Sequence, residues 1–444
     1  MHQPTAPVEV SNRGVFDGVT PYHWLVVVIA SCGWLFDCMD QRIFLLGREP
    51  ALRELLGNDP QAAAHIRTMS GYATTSMILG WATGGIIFGM MSDRLGRVKT
   101  MVITLLIYSG FTGLSGLATT WVDFTIYRFL VGLGVGGMFG AATTLVAESV
   151  PSQFRAVALG SLQALSALGN IMGSLASLMI PPGAAAFAGG YSGWRVLFFV
   201  GIIPSLLVVP IMFVLKEPDS WLRARAEAAA GRGTGKSIGS PLELFRQPRW
   251  RHNTIVGLLL GVSGMIGLWG IGFFSPELIS TALRGESQPV VDRVRALGTA
   301  LQDVGSFFGM MTFTLIASFL SRRLAFLIAL LLSMAVTMFV FASLHSASDA
   351  YWMLPMMGFA QLGLFAGYSI YFPELFPTRL RGTGVGFCYN TVRYLAAPAP
   401  ILFGYLATRM SFREAAISMA GVYLIGTVAL IWAPETKGQP LPED

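Results

Sequence analysis

Twelve long apolar stretches run through this 444-residue chain, at about 23–46, 69–91, 100–118, 121–147, 157–180, 195–214, 254–275, 298–320, 324–343, 351–372, 383–407 and 414–432. Each comes near the ~20 residues that a helix needs to cross a ~30 Å hydrocarbon layer. In that layer every backbone N–H and C=O must be satisfied within the segment, so helices are expected. Only 12% of the residues are charged, against ~25% in a soluble domain. The expected fold class is all-α integral membrane, with twelve transmembrane helices in two six-helix, pseudo-symmetric bundles.

A polar stretch divides the spans six and six. The expected organisation is a tail at 1–22, a bundle at 23–214, a linker at 215–253, a bundle at 254–432 and a tail at 433–444. If the tails and linker share one side, that side carries 18 Lys and Arg and the other carries 9. Such an excess marks cytoplasmic loops, so both termini are expected in the cytoplasm. The net charge of +6 then needs no nucleic-acid partner. The first residues read as neither a signal nor a transit peptide, which suits a bacterial inner membrane. Cys32, Cys38 and Cys388 are expected to stay reduced.

Glycines at Gly80, Gly84, Gly85 and Gly89, and at Gly132, Gly136 and Gly140, follow the small-xxx-small spacing that lets helices approach closely. The halves also repeat. Glu148, Pro151, Arg155 and Gly160 recur as Glu374, Pro377, Arg381 and Gly386 at one fixed offset, and Arg97 maps onto Arg323 by the same shift. Two related halves are the plan of carriers that rock around a midplane site. Glu148, Arg155, Glu374 and Arg381 fall where helices leave the membrane. They are expected to form ion pairs that hold one conformation.

Charges inside the spans are the main candidates for function. Asp37 and Asp40 share one helix face at i and i+3, and a carboxylate near the bilayer centre costs ~2.5–3.5 kcal/mol even on a mild scale. Arg128 lies seven residues into the fourth span. At 1.5 Å per residue it sits ~10 Å below the outer edge, level with Asp37. An Asp37–Arg128 pair that changes partner on protonation is therefore expected. The alternatives are a permanent ion pair, or Asp40 meeting Arg42 near the surface. Arg393 lies ~15 Å deep in the eleventh span. Its fork suits a carboxylate, which is either a substrate's or that of Asp37, Asp40 or Asp303. Gln163, Asn170, Trp269, Gln361, Tyr368, Tyr389, Asn390 and Tyr394 are candidates for the cavity wall or for contacts between helices.

Ala230 to Ser237 imitates a phosphate-binding loop, but neither a strand before it nor a helix after it is expected, so nucleotide binding is not. No metal-ligand set or catalytic triad is apparent. The chain is not expected to be an enzyme or to hold a cofactor; the coupling ion is a proton.

Gly89-Met90-Met91-Ser92-Asp93-Arg94-Leu95-Gly96-Arg97 resembles the hallmark loop of the major facilitator superfamily, G-x-x-x-D-R-x-G-R. Arg128 to Gly134 resembles that superfamily's fourth-span motif, R-x-x-x-G-x-G. The resemblance implies two bundles, a central cavity and alternating access, and it assigns Asp93, Arg94 and Arg97 to gating. Asp37-Cys38-Met39-Asp40 resembles the D-G-x-D of aromatic-acid/proton symporters, with Cys38 in the glycine's place. Arg393 resembles an arginine that organic-acid carriers use. Pro434-Glu435-Thr436-Lys437-Gly438 and Glu217 to Leu222 resemble sugar-porter motifs, but Gly261 to Gly267 lacks that group's Q-Q-x-S-G.

The expected function is proton-coupled uptake of a small organic anion by a carrier that works as a monomer among membrane lipids. A sugar or polyol symporter is the alternative within transport. A non-transporting receptor on the same fold is the alternative outside it.

Overall fold

The computed structural model describes residues 14–57, 62–187, 189–229, 238–396, 399, 402, 406 and 409–443. Among them ten helical segments are long and apolar enough to cross a membrane. Four are α1 (Pro21–Leu56), α2 (Ala62–Leu95), α3 (Arg97–Ser115) and α4 (Trp121–Ser149). The fifth is broken at Leu165 into α5 (Arg155–Ala164) and α6 (Ser166–Met179). The sixth is α7 (Gly193–Val200), a tight turn and α8 (Val208–Val214). The linker holds α9 (Asp219–Ala229) and α10 (Pro241–Arg246); the Ala230 to Ser237 stretch lies outside the described residues. The seventh joins α11 (Pro248–Met265) to α12 (Ser275–Ala282) through a π-helical turn, Ile266–Ile271, and a short 3-10 turn. Then come α13 (Gln288–Phe319), α14 (Arg322–Ser343) and α15 (Ala347–Leu375). The eleventh stretch opens with α16 (Arg381–Ala396), and the twelfth holds α17 (Phe412–Met419) and α18 (Tyr423–Ala429). Each of the twelve expected stretches thus contains helix.

Capping boxes at Thr120 and Ser346 start α4 and α15, the matching helices of the two halves. These helices pack on α2 and α13 through glycine. A methyl group on Gly84 would lie 2.0 Å from the Leu133 carbonyl oxygen, and one on Gly136 would lie 2.1 Å from that of Trp81. In the second half, one on Gly309 would lie 2.0 Å from the Phe359 carbonyl. No real Cβ fits at such distances, so the backbones touch only because these residues are glycine.

One face of the molecule is clamped shut. Asp93 Oδ1 accepts from the Gly382 N–H at 2.9 Å, and Oδ2 accepts from the N–H and hydroxyl of Thr383, both at 2.7 Å. This carboxylate from the first half therefore sits at the N-terminus of α16 in the second half, where the helix dipole favours negative charge. Arg97 donates twice to Glu148 at 3.0 Å and once to the Thr378 carbonyl at 2.8 Å. Arg381 also donates to Glu148. Arg155 reaches Glu374 at 4.0 Å, and Arg322 holds that same carboxylate at 2.9 Å. Arg94 lies at the edge, with its Nε on the Ile238 carbonyl at 3.3 Å. Both ends of the described chain meet this face: Gln153 bonds the Asp17 carbonyl, and Arg381 reaches that of Pro442.

The repeat is exact for Glu148/Glu374 and Arg155/Arg381, whose Nε atoms each bond the carbonyl eight residues back. It fails for Arg323. Arg322 is the counterpart of Arg97, since each bonds the carbonyl five residues back and the glutamate of its own half. The α2–α13 match, Gly84 with Gly309, is one residue shorter than the α4–α15 match, so the register slips by one there. The two halves also share a device across dissimilar segments. Glu217 accepts from the first N–H groups of α3, and Glu435 does so for α14.

Two outcomes are expected. Gly84→Ala should lower the melting temperature in detergent and cost about 1–3 kcal/mol, the usual range for overpacking. Gly71→Ala, where nothing lies within 4 Å, should not; equal melting of the two would discard the close-contact account. Glu148→Gln with Glu374→Gln should lengthen the distance between spin labels at positions 152 and 320 on the clamped face. An unchanged distance would remove these glutamates from gating.

Candidate functional site

The helices of the two halves enclose a cavity of about 490 Å³. On α1 it is lined by Trp34, Cys38, Gln41, Arg42, Leu45 and Arg48, whose spacing of three and four marks one helix face. Since α1 starts at the clamped face, this row leads away from the clamp and toward the opposite side. Asn170 on α6, Trp269 in the π-helical turn, Asp303 on α13 and Arg393 on α16 complete the wall. The π turn belongs to the site: the wider coil carries Leu268 and Trp269 on the cavity wall.

Arg393 is buried, 5% exposed. Its guanidinium lies over the Trp81 ring at 4.0 Å from the centroid and over Tyr389 at 4.6 Å. Tyr389 is itself stacked on Phe139 at 4.0 Å. One Arg393 nitrogen donates to the Tyr389 carbonyl and to Asn390 Oδ1, both at 2.9 Å. Among the described residues its Nε has no hydrogen-bond partner and no carboxylate is within ion-pair reach. Of the alternatives open for this arginine, neutralisation of Asp37, Asp40 or Asp303 is therefore not seen. The guanidinium is held by rings and an amide, with one edge unfilled.

Gln163, Asn170, Trp269 and Tyr389 line the cavity. Gln163 Oε1 is buried without a partner among the described residues. Gln361 and Asn390 do not line it. Gln361 donates to Thr337 at 2.8 Å behind the π turn, and its amide fills the space that a side chain at Gly272 would need. Asn390 is buried against Gly85 and acts on the site through Arg393. Tyr368 donates to the Leu260 carbonyl inside the second half, and the Tyr394 hydroxyl meets Thr83.

The carboxylates of α1 are arranged differently from the expectation. Arg128 faces Asp40, not Asp37, with Nη1 to Oδ2 at 3.7 Å and both side chains fully buried. Thr112 donates to the other Asp40 oxygen at 2.7 Å, and Ser115 braces Arg128. The arginine also lies over the Phe198 ring at 4.9 Å. The Asp37 carboxylate has no ion pair among the described residues; the Tyr108 side chain is its hydrogen-bonding neighbour. Next to Asp37 on α1, Cys38 lines the cavity. Asp40 does not meet Arg42 either. Arg42 crosses to Asp303 in the other half at 2.5 Å. Sequence reasoning placed Asp303 one to two turns into the eighth span, as a mouth residue or a second protonation site, and missed Arg42 and Trp81 as parts of the cavity. A tryptophan among the small residues of α2 was the available signal for Trp81.

The chain has relatives among named transporters. The chain is 30% identical to the cis,cis-muconate transport protein of Acinetobacter baylyi, over 86% of this chain and 90% of the relative. It is 24% identical to the benzoate transport protein of the same organism, over 93% and 90%. The fold matches that of the proton:xylose symporter XylE of E. coli with a TM-score of 0.75, at 19% identity over 95% of this chain and 98% of that one. Residues 35–399 match the family model of the Major Facilitator Superfamily; this chain belongs to that superfamily and is a multi-pass membrane transporter, not an enzyme.

Proposed function

We propose that the chain is a proton-coupled carrier that takes up a small organic anion by alternating access, as a monomer with both termini in the cytoplasm of a bacterial inner membrane. The observation that carries this reading is Arg393. A guanidinium stays charged, and burying it without a carboxylate is costly. Arg393 lines the cavity, where its guanidinium would take a carboxylate that arrives with the substrate. Trp81 and Tyr389 hold the cation in place and offer flat apolar surface to a ring or a conjugated chain. The names of the muconate and benzoate relatives support the same chemistry, since both compounds are carboxylates.

The clamped face is the cytoplasmic one in this reading, so the cavity opens to the outside. The proton is carried by Asp37. Asp40 keeps Arg128 occupied, which leaves Asp37 buried with no countercharge. A proton removes that charge before the bundle closes around it. Exchange of Arg128 from Asp40 to Asp37, one turn away, then stabilises whichever carboxylate is ionised.

Two outcomes are expected. Arg393→Lys keeps the charge and loses the fork, so the affinity for benzoate or cis,cis-muconate should fall about tenfold or more, ~1.4 kcal/mol per tenfold. Titration of the purified protein checks this, and unchanged affinity would take Arg393 out of the site. Stabilisation by neutral sugars but not by carboxylates would instead support the sugar reading. Asp37→Asn should abolish uptake driven by a pH gradient in proteoliposomes while counterflow exchange survives. If gradient-driven uptake persists, Asp37 is not the proton carrier.

A further inference from the structure

Arg42 and Asp303 form a bridge whose position gives it a second meaning. Arg42 Nη2 lies 2.5 Å from Asp303 Oδ2, and the two side chains remain 19% and 18% exposed. The Asn170 side chain also contacts Asp303. All three residues line the cavity, and the bridge joins α1 of the first half to α13 of the second.

Depth along the helices locates it. Both α1 and α16 start at the clamped face. Arg42 is ~31 Å along α1 from Pro21, whereas Arg393 is only ~18 Å along α16 from Arg381. Trp34, at ~20 Å, shares the level of Arg393. Arg48 lies ~9 Å beyond Arg42 toward the opening, and Thr299 is one turn beyond Asp303. The bridge thus separates a mouth, with Arg48, Thr74 and Glu277, from the chamber that holds Arg393.

We propose that the Arg42–Asp303 pair is a strap across the cavity that an entering carboxylate opens by taking the place of Asp303 on the guanidinium. The proposal rests on the organic-anion reading given above. Asp303 is the internal stand-in for substrate: it offers Arg42 the group that an organic acid offers. The pair remains partly exposed to the cavity, so an anion at the mouth can compete with Asp303 for the same guanidinium. The fully buried Glu148 pairs of the clamp are closed to such exchange. A neutral solute has nothing to give Arg42 in return and meets a closed strap. Arg42 then selects for anions before the solute reaches Arg393.

The test is titration of the full-length purified protein with cis,cis-muconate and with benzoate, in the wild type, Asp303→Asn, Arg42→Gln and the double variant. Asp303→Asn removes the competitor and should tighten binding about tenfold, the factor for a site free about one time in ten. Arg42→Gln should weaken binding, and adding Asp303→Asn to it should bring no gain. A bridge that served structure alone would not tighten anion binding when cut. Wild-type binding with Asp303→Asn equal or weaker overturns the strap and leaves the anion reading standing. No binding of either probe to the wild type or to Asp303→Asn overturns both. Asp303→Ser makes the same comparison should the amide variant fail to fold.

Discussion

A charge inside these helices has no water to turn to, so each one must find a partner, reach the cavity or do work by lacking one. Most find partners. Arg97, Glu148 and Arg381 form one buried cluster, Arg322, Glu374 and Arg155 another, and Asp40 meets Arg128 behind the cavity. Arg42 and Asp303 meet across the cavity. Two remain: among the described residues Asp37 has no ion pair, only the neighbouring Tyr108, and Arg393 has no carboxylate and an Nε without a hydrogen bond. One lacks a positive partner and the other a negative one. In the proposed reading a proton and an organic anion supply what the two sites lack.

The pseudo-symmetry of the halves separates machinery from specificity. The clamp repeats almost atom for atom, down to the carbonyls that Arg155 and Arg381 bond. The site does not repeat. By the same helix matching, α15 has Leu354 where α4 has Arg128, and Ala167 in α6 stands where α16 has Arg393. The interactions that close a face are needed once in each half. In the proposed reading the proton site, Asp37, lies in the first half and the anion site, Arg393, in the second, each needed once in the molecule.

Much of this was legible in the sequence, because spans, glycine contacts and clamp charges follow local rules. Apolar length marks a span, small-xxx-small spacing marks a backbone contact, and an internal offset pairs Glu148 with Glu374. What failed was finer than those rules resolve. Depth arithmetic placed Arg128 level with Asp37, but Asp40 is only one turn away and ~60° round the helix, since each residue turns ~100°. Which of the two faces the arginine depends on how α1 rolls against α4. Gln361 and Asn390 were left open between the cavity wall and contacts between helices; a buried amide that bonds Thr337 or Arg393 looks the same in sequence as one that faces a cavity. Arg42 and Asp303 lie 261 residues apart, in different halves, and only the packing of the bundles brings them together.

The two faces also differ in how strongly they are held, and the difference sets the order of events. Breaking a buried pair by removing one partner costs about 3–5 kcal/mol, and the clamp holds several such pairs besides Asp93 at the α16 terminus. The opposite side has, among the described residues, one bridge between the halves, and it stays partly exposed to the cavity. An empty carrier therefore yields first at the strap and keeps the clamp. Opening the clamp requires a compensating gain of several kcal/mol on the other side. In the proposed reading, neutralising Asp37 and placing a carboxylate on Arg393 both remove penalties that an empty, closed cavity would otherwise carry, and these two gains would supply the free energy that lets the clamped face open.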